Sequence, residues 1–185
     1  MTATIEVTTA TPVVTVTGGS FTYDGNPHTA SGSVAGAGGG SLGSLTFTYN
    51  GLSAEPVDAG SYAVVASFAG NSDYGSASAS GVLVINKAVP TFAVTGGTFV
   101  YDKQPHAGSA TANGVLGEPL SPVQLLYDGT SSSAPSDAGA HTVRASFGGS
   151  ANYAATQSAL VALTISKAVP VVAIGTNPVF YTGSP

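Results

Sequence analysis

The chain lacks cysteine and tryptophan altogether, and charged residues make up only 7% of its 185 residues. Without cysteine there can be no disulfide framework, no thiol nucleophile and no Cys-based zinc or iron–sulfur site. The net charge is −5, from 4 Lys and Arg against 9 Asp and Glu, which argues against nucleic acid as a partner. The longest apolar run, residues 81–85, is far shorter than the ~20 residues of a membrane span, so we expect no membrane insertion.

Small residues take the place of the missing charges. The chain contains 25 Gly and 11 Pro, which together stay below the ~25–30% that is typical of disordered segments. Hydrophobic residues make up 43%, close to the value of an ordinary folded domain. The composition therefore predicts a folded chain with a hydrophobic core.

The chain repeats itself. Segments that begin at three prolines match one another: PVVTVTGGSFTYDGNPH from Pro12, PTFAVTGGTFVYDKQPH from Pro90 and PVVAIGTNPVFYTGSP from Pro170. Downstream, DAGSYAVVASFAG (58–70) matches DAGAHTVRASFGG (137–149), and LVINKAVP (83–90) matches LTISKAVP (163–170). So many matches in one register indicate tandem repeats.

The matches set the predicted domain boundaries. One full repeat covers 12–89 and a second covers 90–169. Residues 1–11 are predicted to be the last strand of a preceding repeat, because Ile5–Val7 aligns with Leu83–Ile85. Residues 170–185 are predicted to begin a following repeat, so the chain is interpreted as part of a longer array.

Hydrophobic residues follow a period of two, which is typical of β-strands. In the closing strand of the first repeat, Leu83 and Ile85 flank Val84, and Leu163 and Ile165 flank Thr164 in the second. Turn signals separate the strands: Asn50-Gly51 and Asp24-Gly25 are each predicted to close a hairpin. Two glycine pairs, Gly18-Gly19 and Gly96-Gly97, predict a bend in the first strand. About seven short strands per repeat predict an all-β antiparallel sandwich.

The segment from Asp58 to Val64 sharpens this prediction to an immunoglobulin-like sandwich. Its sequence, DAGSYAV, resembles a tyrosine corner, in which a Tyr hydroxyl bonds to backbone a few residues upstream. Tyr62 would be that tyrosine. The second repeat has His141 at this position, so its corner bond would have to come from an imidazole.

Together these motifs resemble a known family. The combination F-x-YDG-x-P-H, TYNG, P-x-DAG-x-Y, F-x-G-N-x-x-Y and I-x-KA-x-P is similar to the bacterial MBG ("mostly bacterial glycine") repeat, over nearly the whole chain. The resemblance implies tandem Ig-like modules in large secreted or surface-attached bacterial proteins of adhesin type. It brings no catalytic residues with it, and fold alone does not establish function.

The most enzyme-like feature is an Asp four residues before a His, found as Asp24 with His28 and as Asp102 with His106. An Asp can orient a His for base catalysis, but no Ser or Cys recurs beside either pair. Turns use Asp to bond their own backbone. We therefore expect a turn, no catalytic residues and no enzyme activity.

Metal and cofactor sites are not expected either. Glu55, Asp58 and Asp73 are the candidate calcium ligands of the first repeat, but Ala134, Asp137 and Asn152 replace them in the second. The retained Asp58 and Asp137 are predicted to cap their own turns. Zinc binding by His28, His106 and His141 is not supported by their spacing. The glycine-rich loop 35–43 lacks the G-K-[ST] ending of a phosphate loop.

Aromatic residues recur at matching positions in the two repeats. Since they fall on period-two positions, we expect them in the core rather than on an exposed glycan-binding patch. The pairs are Phe21/Phe99, Tyr23/Tyr101, Tyr49/Tyr127 and Phe68/Phe147.

The link between the repeats is short. It runs Lys87-Ala88-Val89-Pro90 without a Gly/Ser spacer, and proline restricts itself and its predecessor, so a stiff array is predicted. The favoured function is a non-catalytic spacer or stalk segment of a large, extracellular or surface-attached bacterial adhesin-like protein, whose partners are neighbouring repeats of the same chain.

Two alternative functions remain open at this stage. One is binding of a host or cell-surface glycan or protein by the variable loops 35–44, 50–57, 113–122 and 128–136. The other is a filament subunit that joins its neighbours through the end segments 1–11 and 170–185 by strand addition.

Overall fold

A computed structural model describes residues 7–173, 175 and 183 of the chain. The described part is all-β and forms two successive repeats. The strands of the first repeat are β1 (Val13–Thr17), β2 (Gly19–Thr22), β3 (Ser31–Ala35), β4 (Thr46–Tyr49), β5 (Gly60–Phe68) and β6 (Ala77–Asn86). Those of the second are β7 (Thr91–Thr95), β8 (Gly97–Val100), β9 (Ser109–Asn113), β10 (Pro119–Leu120), β11 (Val123–Tyr127), β12 (Gly139–Phe147), β13 (Thr156–Gln157) and β14 (Val161–Ser166).

Each repeat consists of a small sheet and a larger one. In the first repeat β1 pairs with β3, and the larger sheet has the order β2-β6-β5-β4. In the second, the sheets have the orders β10-β9-β7 and β11-β12-β14-β8, with β13 beside β12. Val16 of β1 packs against the buried residues of the larger sheet, and Val94 of β7 does the same, so the two sheets face each other as a sandwich.

The centre of each sandwich comes from the two longest neighbouring strands. Val64 and Leu83 are completely buried in the first repeat, and Val143 and Leu163 are completely buried in the second. Burying a side chain of this size stabilises the fold by roughly 1.5–3 kcal/mol. The predicted alternation is confirmed, since the buried residues of β5 are every second one from Val64 onward.

The first strand of each repeat divides at a glycine. A Cβ at Gly18 would lie 1.7 Å from the Val82 carbonyl oxygen, so only glycine lets the chain pass this close to β6. The chain there moves from the small sheet into the larger one, where β2 pairs with β6 in parallel: Gly19 lies opposite Leu83 and Thr22 opposite Asn86. The predicted bend is confirmed, and one parallel pair accompanies the antiparallel ones.

The two turns predicted in the first repeat have different outcomes in the structure. Asn50 and Gly51 have φ of 48° and 84° and form the predicted two-residue turn, which Tyr49 and Leu52 close as an antiparallel bridge. The connection then continues to β5, which begins only at Gly60. The hairpin predicted at Asp24-Gly25 is wrong. The strands on either side of it, β2 and β3, belong to different sheets, so this turn lies in a connection between the sheets.

The two end segments lie largely outside the described residues. Of the strand predicted over 1–11, residues 7–11 are described, and Ala10 forms a parallel bridge with Tyr74 of the first repeat. Of the predicted start of a following repeat, 170–185, the structure describes 170–173, 175 and 183. The assignment of both segments to neighbouring repeats stays a prediction.

Candidate functional site

The Asp–His pair of the first repeat forms a turn that supports the core. The His28 ring stacks on Phe21 with centroids 4.4 Å apart, and its Nε2 lies 3.2 Å from Asp24 Oδ1 in a geometry unsuited to a hydrogen bond. Asp24 Oδ1 accepts the Asn26 backbone N–H at 2.9 Å, and this bond holds the pKa of Asp24 below its usual value. The carboxylate thus bonds its own turn, as predicted.

The second repeat builds the same arrangement. His106 stacks on Phe99 at 4.5 Å, and Asp102 accepts the Gln104 N–H at 2.8 Å. The repetition of this packing in both repeats supports a structural role for the two pairs.

The candidate metal ligands do not converge. Within residues 7–173, no group of three or more His, Asp or Glu side chains is placed to hold a metal ion. His141, the third histidine considered for zinc, contacts Asp128 rather than the other two histidines. The prediction that Asp58 caps its own turn is wrong, because its carboxylate bonds the other repeat, as described below.

The tyrosine corner of the first repeat is confirmed. The Tyr62 hydroxyl donates a hydrogen bond to the Asp58 backbone carbonyl at 2.7 Å. This bond closes the DAG turn at the start of β5. It also fixes the position of Asp58, which points toward the second repeat.

The corner of the second repeat uses an imidazole. His141 Nε2 lies 3.0 Å from the Asp137 carbonyl oxygen, the position taken by the Tyr62 hydroxyl in the first repeat. Its other nitrogen, Nδ1, lies 2.7 Å from Asp128 Oδ2. The hydrogen bond to Asp128 raises the pKa of His141, and the same bond lowers the pKa of Asp128.

Within the described residues, the two repeats contact each other at a junction formed by the link and the second sandwich. Ala88, in the link, is 2% exposed and forms a parallel bridge with Tyr153 of the second repeat. Its N–H donates to the Asn152 carbonyl at 2.9 Å, and its carbonyl accepts the Ala154 N–H at 2.9 Å. The link is therefore bonded into the second repeat.

Side chains add direct bonds between the repeats. Asn152 Nδ2 donates to Asp58 Oδ1 at 2.9 Å, and Asn152 Oδ1 accepts the Ala59 N–H at 2.9 Å. The Lys87 ammonium donates to the Ser150 carbonyl at 2.6 Å. Asn152 thus satisfies a donor and an acceptor of the first repeat with one planar group.

An aromatic pair lies beside these bonds. The rings of Tyr23 and Tyr153 meet edge-to-face with centroids 5.5 Å apart, a favourable geometry for aromatic side chains. Tyr153 is 3% exposed, and its hydroxyl accepts the Val115 N–H at 2.9 Å and donates to Glu118. Burial raises the pKa of Tyr153, and the bond from Tyr153 lowers the pKa of Glu118.

A comparison with known protein families finds the same two repeats. The MBG domain family matches the chain twice in tandem, over residues 10–89 and 94–169. The chain belongs to the MBG domain family. A comparison with curated protein sequences finds no match. Among the described residues, no helix is long and apolar enough to cross a membrane.

Each MBG repeat has two distinct ends, and a junction joins one end of a repeat to the other end of the next. We call the end that receives the incoming link the head: residues 36–40 and 71–75 in the first repeat, 114–118 and 150–154 in the second. The opposite end is the tail: residues 23–25, 58–59 and 86–90 in the first repeat, 101–103, 137–138 and 166–170 in the second. The junction joins the tail of the first MBG repeat to the head of the second.

The heads of the two MBG repeats share a backbone and differ in their side chains. Tyr74 accepts the Ala37 N–H at 3.0 Å, as Tyr153 accepts that of Val115. Asp73, however, stands at the position of Asn152. Among the other differences, Gly38 and Gly40 in the first head correspond to Leu116 and Glu118 in the second. The first head thus keeps the tyrosine but lacks counterparts of the Asn152, Leu116 and Glu118 side chains.

The loop 113–122, one of the variable loops of the sequence analysis, contributes to the junction. Val115 and Glu118 hold the buried Tyr153, and Leu116 lies against Gly25 of the other repeat. Sequence comparison could have pointed to this role, because the glycines of one loop align with the bulky residues of the other.

The recurring aromatic residues lie in the core or at the junction. Tyr49 and Tyr127 are 4% and 3% exposed, Phe68 and Phe147 are buried, and Phe21 and Phe99 pack against the two cores. Tyr23 packs against both its own core and the junction cluster of Ala88, Phe147 and Tyr153. These positions support packing rather than stacking on a sugar.

Proposed function

We propose that this chain is a non-catalytic spacer, or stalk segment, of a large secreted or cell-surface bacterial protein of adhesin type. The observation that carries the proposal is the junction, where the link itself and side chains of both repeats bond one MBG module to the next. Modules joined in this way keep their relative orientation, so a series of them extends in a defined direction.

Composition and family support the same function. The chain is a tandem repeat-protein module of the MBG domain family. The absence of cysteine and the low charge suit a long chain that is exported unfolded and folds outside the cell. Both Asp–His pairs are engaged in turns and ring stacking, which supports a role without catalysis. The partners of each repeat are its neighbours in the same chain.

Small-angle scattering of the chain tests the stalk directly. We expect an elongated two-module particle with one dominant angle between the repeats. Tyr23→Ala removes a ring from the junction and should broaden the distribution of angles. Tyr101→Ala is the matched control, because Tyr101 is the corresponding tyrosine of the second repeat and packs against its core, away from this junction.

A broad distribution of angles in the unmodified chain would overturn the stalk proposal. Measurements at several concentrations separate it from the filament alternative. Growth of the particle with concentration would indicate head-to-tail joining of chains instead.

A further inference from the structure

The tail of the second repeat carries an open cavity. Its volume is about 480 Å³, and Tyr101, Ala138, Lys167, Ala168 and Pro170 line it. The corresponding residues of the first repeat are Tyr23, Ala59, Lys87, Ala88 and Pro90, all at or beside the junction. The tail of the second repeat therefore presents the surface that holds a neighbouring repeat in the first.

Exposure separates the occupied surface from the open one. Ala88 is 2% exposed and Pro90 is buried, whereas Ala168 and Pro170 are exposed. Ala59 is half-buried, whereas the alanine at the same position in the second tail is exposed. The same apolar groups are covered by a head at the first tail and exposed at the second, so the cavity is lined by residues whose counterparts form an interface in the first repeat.

We propose that the tail of the second repeat is the docking site for the head of a third MBG repeat that continues along the chain from Pro170. The proposal rests on the stalk function. The sequence supports this occupant, because PVVAIGTNPVFYTGSP (170–185) repeats the segments that open the two repeats at Pro12 and Pro90. The link into that repeat already lines the cavity through Ala168 and Pro170.

The chemistry of the cavity specifies the head that it accepts. Asp137 corresponds to Asp58, so the incoming head needs an amide at the position of Asn152 to donate to this carboxylate. Lys167 corresponds to Lys87 and is expected to donate to a backbone carbonyl of the incoming turn. A carboxylate at the Asn position would instead face Asp137, and like charges at an interface are unfavourable.

The two tails differ at two positions: Ser166 stands in place of Asn86, and Lys103 in place of Gly25. Lys103, with φ of 68°, stands where Gly25 lies against Leu116. A long side chain at this position needs space, so the third head is expected to carry a small residue where the second has Leu116. Gly38 shows that an MBG head tolerates glycine there.

The head of a second copy of this chain does not fit the cavity. Asp73 stands at the position that should carry an amide and would face Asp137. Moreover, Ala10 already bonds the Asp73 carbonyl and the Gly75 N–H, the backbone groups that the link of an incoming tail would need. Both observations favour a covalently continuous third repeat.

Amide hydrogen exchange at Ala138 tests the proposal, because the corresponding Ala59 N–H is bonded by Asn152. The chain is compared with a three-repeat chain, residues 1–169 followed by a second copy of 90–169 that carries Leu116→Gly. Adding the repeat should slow exchange of Ala138 by about tenfold or more, toward the rate at Ala59. The matched variant, Asn152→Asp in the added copy, should remove this protection.

The possible outcomes decide between the occupants. Unchanged exchange of Ala138 beside a folded third repeat would overturn the docking site. Protection that appears in the two-repeat chain with rising concentration would identify a second copy as the occupant and would also overturn it. The first outcome leaves the stalk proposal intact, because that proposal is tested at the first junction by scattering. The second outcome would favour the filament alternative as well.

Discussion

His141 contacts Asp128 in the second repeat, which gives this repeat a charged corner where the first repeat has a neutral one. Asp128 Oδ1 accepts the Thr142 N–H at 2.9 Å, as Asn50 Oδ1 accepts the Ala63 N–H at 2.8 Å. The second oxygen of Asp128, which Asn50 lacks, lies 2.7 Å from His141. The exchange of Tyr for His is thus accompanied by an exchange of Asn for Asp.

This pair predicts a pH dependence of the second repeat. Folding raises the pKa of His141 above its ordinary 6.5, because protonated His141 bonds Asp128. The stabilisation is complete below pH ~6.5 and is lost as the pH rises through the higher folded-state pKa. At the acid end, the lowered pKa of Asp128 means that its contribution is present above ~3.8 and is lost below it. Exchange of the β12 amides should therefore accelerate as the pH rises above ~6.5, after correction for intrinsic rates.

The double variant His141→Tyr with Asp128→Asn provides the control. It gives the second repeat the corner of the first, so the acceleration of β12 amide exchange with rising pH should disappear while the corner bond remains. If the acceleration survives in this variant, it originates in another titrating group.

The Tyr62 hydroxyl predicts a measurable loss of stability. Tyr62→Phe removes only the hydrogen bond to the Asp58 carbonyl, so it should lower the free energy of unfolding by ~0.5–1.5 kcal/mol. Tyr101→Phe is the control, since no hydrogen bond of its hydroxyl occurs within the described residues. Urea unfolding checks both variants, and equal effects would mean that the corner bond contributes nothing.

Asn152 predicts that one side chain couples the two repeats. Asn152→Ala removes both of its side-chain bonds to the first repeat and should cost about 1 kcal/mol. Asp73→Ala alters the corresponding position in the head of the first repeat and should change stability by less than ~0.5 kcal/mol. Thermal unfolding of both variants gives the comparison. A loss of similar size in both would assign the effect to the turn itself.

Gly18 predicts a severe effect of a single methyl group. In Gly18→Ala the new Cβ would meet a backbone oxygen, and backbone cannot move aside as a flexible side chain can. We expect a loss of about 3 kcal/mol or more in the free energy of unfolding. Gly40→Ala is the control, because nothing lies within 4 Å of its new Cβ. A mild effect of Gly18→Ala in urea unfolding would show that β1 and β6 can separate.

The features that sequence predicted are those that leave a local signal. Alternation of Leu83, Val84 and Ile85 indicates a strand with one face in the core, and the DAG-x-Y spacing marks the corner. The Asp24-Gly25 turn shows where local signals fail. Its Asx bond is the same in a hairpin and in a connection between sheets, so only the pairing of the flanking strands distinguishes the two.

The junction could not be predicted from local patterns. Asn152 and Asp58 are 94 residues apart, and neither belongs to a periodic stripe. Each residue taken alone looks like an ordinary turn residue. The comparison of the two repeats contained the signal, since Asn152 aligns with Asp73 and Leu116 with Gly38, but its meaning depends on knowing which head is occupied.

The parallel pairing of β2 with β6 has a mechanical consequence. These strands lie near opposite ends of the first repeat along the chain, and they run side by side from Gly19 opposite Leu83 to Thr22 opposite Asn86. Tension applied through the neighbouring repeats pulls the two strands in opposite directions along their own axes. The load then acts in shear on all four residue pairs together, whereas a hairpin pulled at its open end would lose its hydrogen bonds one after another.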